Sequence, residues 1–130
     1  MEIAYLAGLF DGEGCISIQQ SKNVKGIFNY CLKLIVHMNC KEIIDILQET
    51  FGGSVYIRKD KSYAWECTGT EADETLKLIV PYLIEKKKQA ELGIDYSEIF
   101  GYGHRIKRTK TDRELQALYH LKMQMLKRKE

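Results

Sequence analysis

The nine residues Leu6-Ala7-Gly8-Leu9-Phe10-Asp11-Gly12-Glu13-Gly14 constrain this chain more than any other stretch. They read as one helix of apolar and small residues running into a carboxylate held between two glycines. Gly8 and Gly12 stand four apart, so they share a helix face and let a second backbone come close. Glu13 is expected just beyond the helix end, where Gly12 and Gly14 permit a sharp turn. Two such helices packed together bring two carboxylates side by side, a natural place for divalent metal. A bare GxxxG is also satisfied by a buried helix with a glycine cap and an ordinary exposed Glu. Nine positions in this order are a far stronger signal than the GxxxG alone.

The rest of the chain is expected to make an α+β domain in the order α-β-β-α-β-β-α, followed by one or two further helices. The first helix covers residues 2–13. Cys15-Ile16-Ser17-Ile18-Gln19 alternates in polarity as a half-exposed strand does, and residues 29–38 return with Leu32, Leu34 and Val36 on one face. A helical period through Ile43, Ile44, Leu47 and Phe51 is stopped by Gly52-Gly53. A second hairpin runs from Val55 through Lys59-Asp60-Lys61 to Thr68. Thr70 is read as the cap of the next helix, which Pro81 closes or kinks, and residues 85–100 and 111–127 as two more, the last capped by Thr111 or Asp112. The two hairpins could build one four-stranded antiparallel sheet with helices on one face. The orientation of the fourth strand stays open: either Tyr63, Trp65 and Cys67 face outward, or Ala64, Glu66 and Thr68 do.

At 130 residues, 45% hydrophobic and 29% charged, the chain has the size of one domain, 1–130, and the composition of a soluble globular protein. The core is expected over about 1–100, with a basic helical extension over about 104–130. Apolar runs are only a few residues long, too short to cross a bilayer, and no basic cluster precedes them as in a signal peptide. An intracellular location, in the cytoplasm or an organelle, is therefore expected, without secretion. Cys15, Cys31, Cys40 and Cys67 form no CxxC pair, and no zinc site is expected. Net charge is only +2, but residues 1–103 hold 11 Lys/Arg against 15 Asp/Glu and residues 104–130 hold 9 against 3. That tail, including Lys107 and Arg108, either attracts phosphates or is a solvated helix surface.

The nonapeptide resembles the motif of the LAGLIDADG homing endonucleases, with Phe10 for the usual Ile, Gly12 for Ala and Glu13 for the second Asp. Phe51-Gly52-Gly53, and Pro81-Tyr82-Leu83-Ile84 followed by Lys86, Lys87, Lys88, Gln89 and Ala90, stand in the family's order and approximate spacing, from the start of the chain to about Phe100. The chain carries one motif copy, so a motif-helix interface must be completed by a second chain, a two-fold homodimer. Leu6, Ala7, Gly8, Leu9 and Gly12 are then the dimer-interface residues. The resemblance implies magnesium-dependent double-strand cleavage of a long, nearly palindromic DNA site, associated with intron or intein mobility. Glu13 and the Gly12 carbonyl would hold Mg2+, with Mn2+ a substitute and Ca2+ able to bind without supporting cleavage. Asp11 would be structural. Lys86 matches a family lysine that reaches the catalytic pocket; a solvated lysine triplet is the plain alternative. The sheet face left free would meet double-stranded DNA through Ser17, Gln19, Ser21, Lys33, His37, Tyr56 and Arg58, residue types suited to base edges and phosphates. Two rivals remain: a catalytically idle DNA-binding regulator or RNA-splicing maturase on the same scaffold, and a small dimeric interaction module.

Overall fold

A computed structural model describes residues 2–101 and 108–128. The elements are α1 (Ile3–Glu13), β1 (Gly14–Lys22), β2 (Phe28–Met38), α2 (Lys41–Phe51), β3 (Ser54–Ile57) and β4 (Tyr63–Thr68). They are followed by α3 (Gly69–Ile79), a 3-10 turn (Val80–Tyr82), α4 (Lys87–Phe100) and α5 (Lys110–Arg128). The four strands form one antiparallel sheet in the order β1-β2-β4-β3. The two central strands thus come from different hairpins, and the pairing of Lys33 with Thr68 through Met38 with Tyr63 joins the halves.

Alternation decides which face is covered. Ile16 and Ile18 on β1, Leu32, Leu34 and Val36 on β2, and Trp65 and Cys67 on β4 are buried together with Leu6, Ala7, Phe10, Leu76, Ala90 and Met123. The helices lie on that side, and the opposite face is open. The fourth strand is therefore settled by polarity: Trp65 and Cys67 pack inward, and Glu66 faces outward. Trp65 is fully buried and its indole N–H donates to the Gly52 carbonyl at 2.8 Å, which satisfies its only polar atom. Burial pushes the Cys67 thiol up to about 12, so it behaves as a small core hydrophobe.

Three local expectations are corrected. Glu13 is the last residue of α1 rather than a residue beyond it, and Gly14 follows in extended conformation at φ −85°. Gly14 is required for space instead: a Cβ there would stand 2.4–2.7 Å from the Phe10 ring. Thr70 does not cap α3, which begins at Gly69 after a Thr68 that makes no side-chain cap bond. Thr109, not Thr111 or Asp112, opens α5. Its hydroxyl accepts from Asp112 N–H at 3.1 Å while the Asp112 carboxylate accepts from Thr109 N–H at 2.9 Å, a reciprocal capping box.

The basic C-terminal helix is built into the fold. Gln116 donates to the Tyr96 hydroxyl at 3.1 Å, Met123 is 1% exposed, and Tyr96, Phe100 and Tyr119 form a cluster of rings. From there α5 runs along β1: His120 Nδ1 donates to the Ile18 carbonyl, and Lys127 reaches Ser17 and Cys15. It therefore covers the Cys15–Ile18 half of β1, while Gln19–Lys22 stay exposed. Among the described residues no helix is long and apolar enough to cross a membrane.

Candidate active site and nucleic-acid interface

The C-terminal end of α1 is fixed from below by one carboxylate. Asp11 accepts from the backbone N–H groups of Ile84 at 3.0 Å, Glu85 at 3.1 Å and Lys86 at 2.8 Å. Partial burial works to raise its pKa, but those three donors, with the Lys86 charge, win and hold the carboxyl below its ordinary value. Lys86, 8% exposed, turns its ammonium back and donates to the Asp11 carbonyl at 2.6 Å. That carbonyl is among the last four of α1, which have no intrahelical partner, and a cation there opposes the helix dipole. Lys86 opens α4, where a positive charge is unfavourable, but its charge is spent on α1. The pair Asp11–Lys86 sets the position of Gly12 and Glu13, which come next in the chain.

The predicted helix interface divides in two. Leu6 and Ala7 are 0% exposed inside their own chain and have no surface to offer, because they face the sheet. Gly8 and Gly12 do face out, and a Cβ at either would meet nothing within 4 Å. Tyr5, 53% exposed, lies on the same open side, and Leu9 is half-buried at its margin. Hence the free stripe of α1 is Tyr5, Gly8, Gly12 with Leu9. Glu13 is exposed at its end. Among the described residues no group of three or more His, Cys, Asp or Glu is arranged to hold a metal ion.

The open sheet face starts beside Glu13. Gln19 and Ser21 project freely from β1, whereas Ser17 is half-buried and accepts from Lys127 Nζ at 2.9 Å. Lys33 on β2 pairs with Glu66 at 3.1 Å, and the Tyr56 hydroxyl donates to the same Glu66 oxygen at 3.1 Å. His37 lies nearby with its Nε2 buried and without a hydrogen-bond partner among the described residues. Burial first, and then the Arg58 charge, lower its pKa against the opposing pull of Asp60 and Glu66, which favours the neutral ring. Arg58 follows β3 and stands 3.6 Å from the Asp60 carboxylate. Of the two tail residues, Arg108 donates to the Phe100 carbonyl at 2.6 Å and stacks over the Phe100 ring, tying it to α4. Lys107 lies outside the described residues.

Sequence reasoning missed two members of this face. Glu66 was hidden by the open orientation of β4; its place as the one charged residue of that strand, between Trp65 and Cys67, was the available signal. Lys127 was read as part of a generic basic tail, and no local pattern places a helix end against strand residues 110 and 112 positions away.

The layout is thus a four-stranded antiparallel sheet open on one side, with a carboxylate-tipped helix at its margin. The family profile described as LAGLIDADG endonuclease matches residues 6–101, and the chain belongs to that family. Among solved structures, the homing endonuclease I-CvuI in complex with the I-CreI target is 25% identical with a TM-score of 0.83. The match covers 95% of this chain and 80% of that one; that structure contains 2 mM Mg and DNA that is not cleaved. I-CvuI with its own target in 2 mM Ca is 26% identical, with the same TM-score and coverage. The homing endonuclease I-TnaI shares the fold at 19% identity and a TM-score of 0.73, covering 98% of this chain and 95% of that one. The comparison with curated proteins found no match.

Proposed function

We propose that the chain acts as a homodimeric homing endonuclease that cuts both strands of a long, nearly palindromic DNA site. The observation that carries this reading is the placement of Glu13. It stands at the junction of a helix face with no partner among the described residues and a sheet face lined with Gln, Lys, Tyr and Arg. One carboxylate per chain is a poor divalent site, but two copies packed along Tyr5, Gly8 and Gly12 would bring two together. These residues fit the family's metal: Glu13 and the Gly12 carbonyl are hard oxygen donors, the type that Mg2+ and Ca2+ prefer. A bound divalent ion supplies activation of water and stabilisation of the leaving oxygen. The chain's own contribution is geometric. Asp11 and Lys86 hold the end of α1, and the open face of the sheet seats the duplex so that a phosphate of each strand lies near Glu13.

The test is Glu13→Gln on a site selected from a plasmid library. Cleavage with magnesium should fall by at least about a thousandfold, while affinity stays within a few fold, because the carboxylate reads no base. Wild-type cleavage by the Gln variant removes the assignment. Binding without any cleavage by the wild type, with magnesium or manganese, gives the scaffold to an idle regulator or a maturase instead.

A further inference from the structure

We propose that Lys33 and Glu66 act as one reading unit that selects a single G·C base pair, in one orientation, within each half-site. The inference rests on the DNA-binding reading above and adds a residue, Glu66, that contributes nothing to general attraction for a polyanion. A carboxylate in the middle of a face that is to meet phosphates is unfavourable unless it has a specific donor there. Partly buried, the ion pair contributes to the fold, but that is a weak reason for a carboxylate rather than a neutral acceptor on this face.

The geometry gives a stronger one. Lys33 comes from β2 and Glu66 from β4, the two central strands, and both project from the open face with side chains 20% and 25% exposed. Lys33 Nζ and the Tyr56 hydroxyl both donate to Oε2 of Glu66, at 3.1 Å each. The second oxygen, Oε1, has no partner among the described residues and is left to accept, and the ammonium keeps two further N–H donors. The unit therefore sets a donor, Lys33 Nζ, 3.1 Å from Glu66 Oε2, and leaves Oε1 of the same carboxylate, which Tyr56 orients through Oε2, as the acceptor.

In the major groove, guanine O6 and cytosine N4 are themselves a hydrogen-bonded pair, hence roughly 2.9 Å apart. The Nζ–Oε2 span is of similar size, so an ion pair lying over the base pair sets the ammonium over one base and the carboxylate over the other. With Lys33 over guanine, the ammonium meets two acceptors, O6 and N7, while Glu66 accepts from cytosine N4 and faces no lone pair beside it. A T·A pair presents Lys33 with one acceptor and a methyl group, and sets the adenine N7 lone pair beside Glu66. Reversing G·C puts donor against donor and acceptor against acceptor. One orientation of one base pair satisfies every group.

The test is a binding profile over randomised half-sites, without magnesium, for wild type, Lys33→Met, Glu66→Gln and the exchange K33E/E66K. Thermal melting confirms that each variant is folded. The wild type should prefer G·C over the other three pairs by about tenfold or more at one symmetric position. Each single variant should bring that preference to within about twofold, and the exchange should invert it to C·G. A uniform loss of affinity with the wild-type base retained at every position, above all in the exchange variant, overturns the proposal. A wild type with no sequence preference anywhere overturns the DNA-reading assignment itself, which separates the two failures.

Discussion

Asp11 shows how much a single side chain can fix. It binds three consecutive backbone N–H groups 73 to 75 residues away, and its carboxyl is held below the ordinary value. A depressed folded-state pKa means that the stabilisation is present above the unfolded value, about 3.9, and is lost as pH falls through the folded one. Asp11→Asn should therefore cost about 1–2 kcal/mol at pH 7, a figure reduced from that of a fully buried charged bond because the group is partly solvated. The gap between wild type and variant should narrow below about pH 4; urea melts at pH 7 and pH 3 measure it. A gap that widens in acid contradicts this assignment. The two glycines of the motif separate just as clearly. Gly14→Ala drives a methyl into the Phe10 ring and should destabilise by about 1–3 kcal/mol. Gly8→Ala meets nothing in its own chain, so the separate chain should gain about 0.5–1 kcal/mol. If two α1 helices pack together, that same methyl should weaken the dimer. Thermal melting and sedimentation at several concentrations distinguish the effects, and a monomeric wild type at tens of micromolar would remove the shared site.

At the scale of elements, α5 depends on how it begins. Thr109→Ala removes the hydroxyl of the capping box and should cost about 1 kcal/mol. Amide exchange should speed up in the first turn of α5 and then at the β1 edge; unchanged protection there would mean that the helix is held by its packing alone. The same helix marks where the sequence stopped being readable. Strands β1 and β2 and helix α2 could be read because their apolar residues recur at period 2 or 3.6, which is a local property. The end of α1 was misjudged by one residue, since a Glu fits both inside and beyond a helix. Leu6 and Ala7 were assigned to a partner because the motif alone does not say which stripe of α1 faces the sheet. The partner of Lys86 could not be read, because a bond to the Asp11 carbonyl depends on tertiary placement rather than on spacing.

For the whole molecule, one consequence of the order β1-β2-β4-β3 is that neither hairpin is a domain by itself. Another is that α5 belongs to the core, through Met123, Gln116 and His120. A chain cut after residue 108 should therefore lose stability rather than merely DNA affinity. The loss of Met123 alone should cost about 2–5 kcal/mol. Light scattering and thermal melting should show a lower midpoint with association beyond a dimer. A truncated chain that melts like the full one and fails only in salt-sensitive DNA binding would return α5 to the status of a basic tail.

The cover that α5 gives the first half of β1 has a temporal side as well. β1 ends at Lys22 and its cover begins at Lys110, so roughly ninety residues are added between them. A ribosome adding about 5–20 residues per second takes from about four to about eighteen seconds over that stretch, whereas a hairpin such as β1–β2 closes in microseconds. For that interval every nascent chain carries an unpaired strand edge, and neighbouring ribosomes on one message hold several such edges close together. Pairing between nascent chains competes with α5 throughout synthesis, so the yield of native protein should rise when fewer ribosomes share a message.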